Sequence, residues 1–126
     1  MMAPTGAAAL LVSRDLFFTS KVTGTAQALG TEVEVVADAE SASRRVAAHR
    51  FRCVFVDLAD TELDVAAFFA SLDPETRPPV IAFGSHVATA RLQAAREAGC
   101  DEVMPRSRFS TSLPDLLQKY CGPSTP

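Results

Sequence analysis

The sequence has no tryptophan and a single tyrosine, so it lacks the usual fluorescence reporter. No apolar run approaches the length needed to cross a bilayer. The Ala7–Val12 stretch is interrupted at Ser13-Arg14 and has no basic region before it, which reads as a strand and not a signal peptide. Polar low-complexity tracts are also missing; with 48% hydrophobic and 21% charged residues, the chain can offset its ordering entropy without a partner to fold on. The three cysteines, Cys53, Cys100 and Cys121, are an odd number without metal-ligand spacing, which points to a reduced, cytoplasmic protein. Cys53 and Cys100 read as small core residues. The two histidines, His49 and His86, stand apart with no cysteine or carboxylate pattern around them, so no zinc site is expected.

A strong charge imbalance is absent too. The net charge of -3 argues against nucleic acid as a partner, although Arg44, Arg45, His49, Arg50 and Arg52 cluster locally. That cluster reads as a solvated helix face with its following turn, ahead of an anion-binding patch. There is no glycine-rich phosphate loop after the first apolar run; Ser13-Arg14-Asp15-Leu16 stands there instead, which excludes a nicotinamide fold. Ser85-His86 does not make a nucleophile with its base, because neighbouring residues at a strand end point in opposite directions.

What is present is an alternation. Short apolar runs at Ala8–Val12, Val33–Val36, Cys53–Val56, Val80–Phe83 and Glu102–Met104 predict strands. Between them, helices are predicted over Leu16–Leu29, from an Asp38 cap through Ala48, over Leu63–Leu72 and over Val87–Ala98, with Gly30 and Gly99 as stops. Ser112 with Pro114 marks the start of a last helix ending near Tyr120. Five strand-then-helix units predict a single α/β domain with a doubly wound five-stranded parallel sheet. Its core is expected at about residues 7–121, with a frayed tail at 122–126 and no output domain.

Ligands of such sheets gather at the carboxyl ends of the strands. The residues expected there are Ser13, Arg14, Asp15, Asp57, Leu58, Gly84, Ser85, Pro105 and Arg106. Asp57 is the most telling, because a carboxylate at the mouth of a buried strand needs a cation or hydrogen-bond donors. It can be a nucleophile whose charge a metal or lysine holds, or it can pair with Arg14 or Arg106 and close the sheet.

Along nearly its whole length the chain resembles the receiver domain of two-component response regulators, the CheY-like, flavodoxin-like fold. Glu97-Ala98-Gly99-Cys100-Asp101-Glu102-Val103-Met104 is similar to the family's Ala-Gly-Ala-Asp-Asp before its fifth strand. Phe55-Val56-Asp57-Leu58 resembles the strand that delivers the phosphoacceptor aspartate, and Pro79-Val80-Ile81-Ala82-Phe83 resembles the fourth strand. Asp64 falls where the family's later Asp-Gly pair begins, with Val65 in the place of its glycine. The resemblance implies a phosphoacceptor at Asp57, served by a histidine kinase and a magnesium ion.

The departures from that pattern concentrate on one mechanism. Ser13 and Arg14 stand where the family places two metal-holding acids, so only Asp15, with Asp57, is left for magnesium. Gly84 replaces the switch hydroxyl, with Ser85 one place late; Arg106 replaces the lysine; Ser107 stands where its proline would follow; and Asp60-Thr61 replaces Met-Pro. The expectation is an atypical or pseudo-receiver with no cofactor and no catalysis, in which Arg14 and Arg106 neutralise Asp57. Such a protein would act as a monomer or weak dimer that binds a protein partner, a histidine kinase or other signalling protein. Met104, Arg106, Phe109 and Leu113 are the expected partner surface, against core membership for Met104 and Leu113. The alternatives are a working phosphoacceptor domain and a small-ligand binder.

Overall fold

A computed structural model describes residues 6–122. Of the expected tail, only Gly122 lies inside that range; residues 123–126 lie outside the described residues. The strands are β1 (Ala9–Val12), β2 (Val33–Val36), β3 (Cys53–Asp57), β4 (Val80–Gly84) and β5 (Glu102–Pro105). They form one parallel sheet in the order β2-β1-β3-β4-β5. The helices are α1 (Leu16–Ala28), α2 (Ala39–Ala48), α3 (Val65–Ala70), α4 (Thr89–Ala98) and α5 (Arg106–Cys121).

Local chemistry fixes most of the boundaries. Asp15, Asp38 and Asp64 each cap a helix by accepting from a backbone N–H, of Phe18 at 3.0 Å, Ser41 at 2.7 Å and Ala67 at 3.0 Å. Gly30 and Gly99 follow α1 and α4 at φ 77° and 108°, a left-handed conformation that a side chain would strain. The central strands β1, β3 and β4 are buried throughout, because helices cover both sides of the sheet.

Alternation along the strands sorts the core into two layers. Ala9, Leu11, Cys53, Phe55, Ile81 and Phe83 face α1 and α5. Leu10, Val12, Val54, Val56, Val80 and Ala82 face α2, α3 and α4.

The last helix differs from expectation. It begins at Arg106, directly after the extended Pro105, and carries Pro114 in its interior. The stripe Phe109, Leu113, Leu116 and Leu117 is buried on the sheet, and that burial outweighs the helix-start signal of Ser112 and Pro114. Two other helices are shorter than the sequence suggests. Asp64 sets the start of α3, and a turn in which the Ala88 N–H donates to the Ser85 carbonyl at 3.0 Å holds α4 off until Thr89.

Candidate functional site

Register brings the key residues to one place. Val12 pairs with Val56, and Asp57 pairs with Phe83, so Ser13, Asp57 and Phe83 follow one another across the carboxyl ends of β1, β3 and β4. All three share the sheet face that packs on α1 and α5. Those helices present Asp15 and Phe18 from the start of α1 and Arg106 from the start of α5. The strand order reverses between β1 and β3, which is where doubly wound sheets open a crevice.

Asp57 has a side chain only 3% exposed, and every contact it makes neutralises or satisfies it. The Arg106 guanidinium donates from one nitrogen to both carboxylate oxygens at 3.0 Å. The Ser13 hydroxyl donates to one of those oxygens at 2.8 Å, and the Ala59 backbone N–H donates to the other at 2.9 Å. A second nitrogen of Arg106 reaches Asp15 at 3.3 Å, so one guanidinium ties two carboxylates together. The same group lies against the rings of Phe18 and Phe83, at 4.5 and 5.8 Å from their centroids. The Phe18 N–H foremost, and then Arg106, hold the Asp15 carboxyl below its ordinary range.

Other residues fall differently from expectation. Arg14 is exposed on the rim and makes no ion pair among the described residues; its charge is felt instead at Asp38. Side chains at a strand end alternate, so with Ser13 turned to Asp57, Arg14 stays on the rim of the cleft without reaching that carboxylate. The partner that completes Arg106 at Asp57 is therefore Ser13 and not Arg14. Ser85 is exposed and accepts from the Val87 N–H at 3.3 Å within its own turn, outside the site. Gly84 closes β4, and a Cβ there would lie 3.1 Å from the Cβ of Leu58, so Leu58 crowds the position where a switch side chain would start. Of the expected partner surface, Met104, Phe109 and Leu113 are core residues at 5%, 0% and 2% exposure; only Arg106 is partly accessible. Starting α5 at Arg106, not Ser112, puts Phe109 on the same buried stripe as Leu113, while Met104 is buried from β5.

Arg91 carries no mark in the sequence. From α4 it donates to three backbone carbonyls of the segment after β3, those of Leu58 at 2.6 Å, Asp60 at 2.8 Å and Leu63 at 3.1 Å. Backbone acceptors have no residue identity, so no motif can reveal this clamp. The cleft beside Asp57 is shallow, about 240 Å³, and lined by Arg14, Asp15, Asp57, Ala59 and Asp60. Among the described residues no group of three or more histidines, cysteines or acids is arranged to hold a metal ion. No helix among them is long and apolar enough to cross a membrane.

No protein-family model and no curated protein matches the sequence. Solved structures do match. The receiver domain of a sensor histidine kinase from Pseudomonas aeruginosa, with a magnesium ion coordinated in its active-site cleft, superposes with a TM-score of 0.78 at 21% identity, over 94% of this chain and 100% of that one. The chain has the receiver fold. A response regulator from Hahella chejuensis matches that fold with a TM-score of 0.79 at 11% identity, over 95% and 100% of the two chains. The phosphorylated cyanobacterial phytochrome response regulator RcpA matches with a TM-score of 0.76 at 15% identity, over 96% and 98%. At these identities the receiver fold persists while side chains at the strand ends are free to differ.

Proposed function

We propose that this chain is an atypical receiver domain that serves signal transduction as a protein-interaction module, with Asp57 held in a permanent ion pair and not used as a metal-dependent phosphoacceptor. The reading rests on the Arg106 guanidinium, which contacts both Asp57 oxygens at 3.0 Å while also holding Asp15. A magnesium ion needs free oxygen ligands in octahedral array. Here the two candidate carboxylates are already bridged by a cation, and the Ser13 hydroxyl replaces an acid with a donor aimed at Asp57. The residues present do not suit the ion.

In this reading the domain is cytoplasmic, catalyses nothing, and presents one conformation to a signalling protein such as a histidine kinase. Leu16 and Phe17, 81% and 92% exposed immediately after Asp15, offer apolar side chains to such a partner. One observation favours the second reading, a phosphoacceptor domain: Asp57 opens onto the strand-end cleft beside Asp15. The Pseudomonas domain holds its magnesium in the active-site cleft, and RcpA is phosphorylated. For the same chemistry here, Arg106 would have to leave both carboxylates. An amide NMR titration with magnesium and then beryllofluoride separates the two. Unchanged Asp57, Gly84 and Arg106 resonances in a well-folded spectrum are expected; saturable shifts at millimolar magnesium that grow with beryllofluoride would establish the phosphoacceptor instead.

A further inference from the structure

At the opposite end of the sheet from Asp57, two thiols meet. Cys53 is the first residue of β3 and is fully buried; Cys121 is the last residue of α5 and is half-buried. Their sulfurs lie 3.8 Å apart. Bonded sulfurs are separated by about 2.05 Å, so closure needs a shift of less than about 2 Å at the last turn of a helix. Cys121 also lines a surface depression of roughly 590 Å³ between the end of α1 and the end of α5, beside Gly30, Thr31 and Gln118. An oxidant can reach Cys121 from there, whereas Cys53 is shielded behind it. Arg52 donates to the Gly122 carbonyl at 2.6 Å, which keeps a positive charge next to the end of α5.

We infer that Cys53 and Cys121 form a reversible intramolecular disulfide, with Cys121 as the sulfur that a hydroperoxide oxidises first. The protonation states agree with that order. The Cys53 S–H foremost, with help from Arg52, holds the Cys121 thiol below its ordinary value despite burial, while the same hydrogen bond and burial push the Cys53 thiol up. The Cys121 thiolate attacks the terminal oxygen of the hydroperoxide; the O–O bond breaks, and the departing oxygen takes a proton and leaves as water or an alcohol. Sulfur is thereby oxidised to a sulfenic acid and the peroxide is reduced. Cys53 then attacks the Cys121 sulfur. The S–S bond forms, the S–O bond breaks, and hydroxide leaves with the Cys53 proton as water. Two thiols and one hydroperoxide give one disulfide, one alcohol or water, and one further water. Exchange with an external dithiol reverses the bond.

Cys100 provides the contrast. It packs on the other sheet face, and burial foremost, with Asp101, pushes its thiol up to about 11. It therefore takes no part.

The test uses the full reduced chain exposed to a small excess of hydrogen peroxide. Intact mass is expected to fall by two hydrogens, a non-reducing peptide map to join Cys53 to Cys121, and the thermal midpoint to rise by roughly 10 °C, all reversed by dithiothreitol. Cys100→Ser should keep these changes and the half-buried Cys121→Ser should abolish them; the wild-type mass and map decide the matter even if a variant folds poorly. Oxygen added to Cys121 without a cross-link, a bond between two molecules, or free reaction of both thiols with a maleimide after treatment would each overturn the inference.

Discussion

Against α1 and α5 the sheet presents Phe55 and Phe83, which with Phe18 and Phe109 form a chain of rings at centroid separations of 4.1 to 5.9 Å. Against α2, α3 and α4 it presents aliphatic side chains, Leu10, Val12, Val54, Val56, Val80 and Ala82. Each layer ends in an arginine at the strand mouths. On the aromatic side, Arg106 sits over the Phe18 ring and bridges Asp15 and Asp57. On the aliphatic side, Arg91 finds no carboxylate among the described residues and is satisfied by three carbonyls. Ring faces carry negative charge and stabilise a nearby cation, so the rings of Phe18 and Phe83 support Arg106 electrostatically, whereas Arg91 holds the loop that contains Leu58 to Leu63 through carbonyls alone.

Substitutions in the two layers should therefore differ in more than stability. Phe109→Ala is expected to cost about 4 kcal/mol in urea unfolding, and Leu92→Ala, at a buried but less enclosed place on the other face, about 3 kcal/mol. Only Phe109→Ala should shift the Arg106 guanidinium resonance, since Phe109 stacks on Phe83 at 4.1 Å; equal shifts in both variants would end the distinction. Next in size is Arg106→Met, which strands the Asp57 charge. A loss of about 2–3 kcal/mol is expected, below the range for a fully buried pair because the guanidinium is 30% exposed. Adding Asp57→Asn should recover at least half of that, and no recovery would mean that Arg106 acts through its ring contacts alone.

Arg91→Ala should cost about 2 kcal/mol and speed amide exchange from Leu58 to Leu63 while leaving the Asp57–Arg106 pair intact. The smallest effect is acid sensitivity. Asp15 titrates lower in the folded chain than in the unfolded one, so its contribution is complete above the unfolded pKa and is lost as pH falls through the folded pKa. The melting midpoint should decline from about pH 4 downward, and Asp15→Asn should flatten that decline. An unchanged slope would remove Asp15 from the account.

The fold was legible because each strand–helix unit carries its own punctuation. Asp38, Gly30 and Gly99 mark helix ends where the sequence places them, and buried strands read as unbroken apolar runs. Asp57 and Arg106 were legible because a charge next to such a run has to be answered, and the structure brings the two together. The start of α5 was not. Serine-rich residues 107–112 have weak helix propensity, and the stripe from Phe109 to Leu117 earns its helix through tertiary burial. Placing that start late left Phe109 in a loop, whereas Met104 on β5 and Leu113 on α5 lay in expected elements whose inward face the spacing did not fix. Arg14 and Ser13 exchange roles through the parity of one residue, which sequence spacing does not fix at a strand end.

Pro114 lies within α5, between the end that holds Asp57 and the end that carries Cys121. Having no N–H, it cannot bond to the Ser110 carbonyl, so the hydrogen-bond ladder lacks one rung at that point. The helix is weakest at that point, so a small displacement of its final turns can be absorbed there before it reaches Arg106. The two ends of one helix can in this way answer to different chemistries.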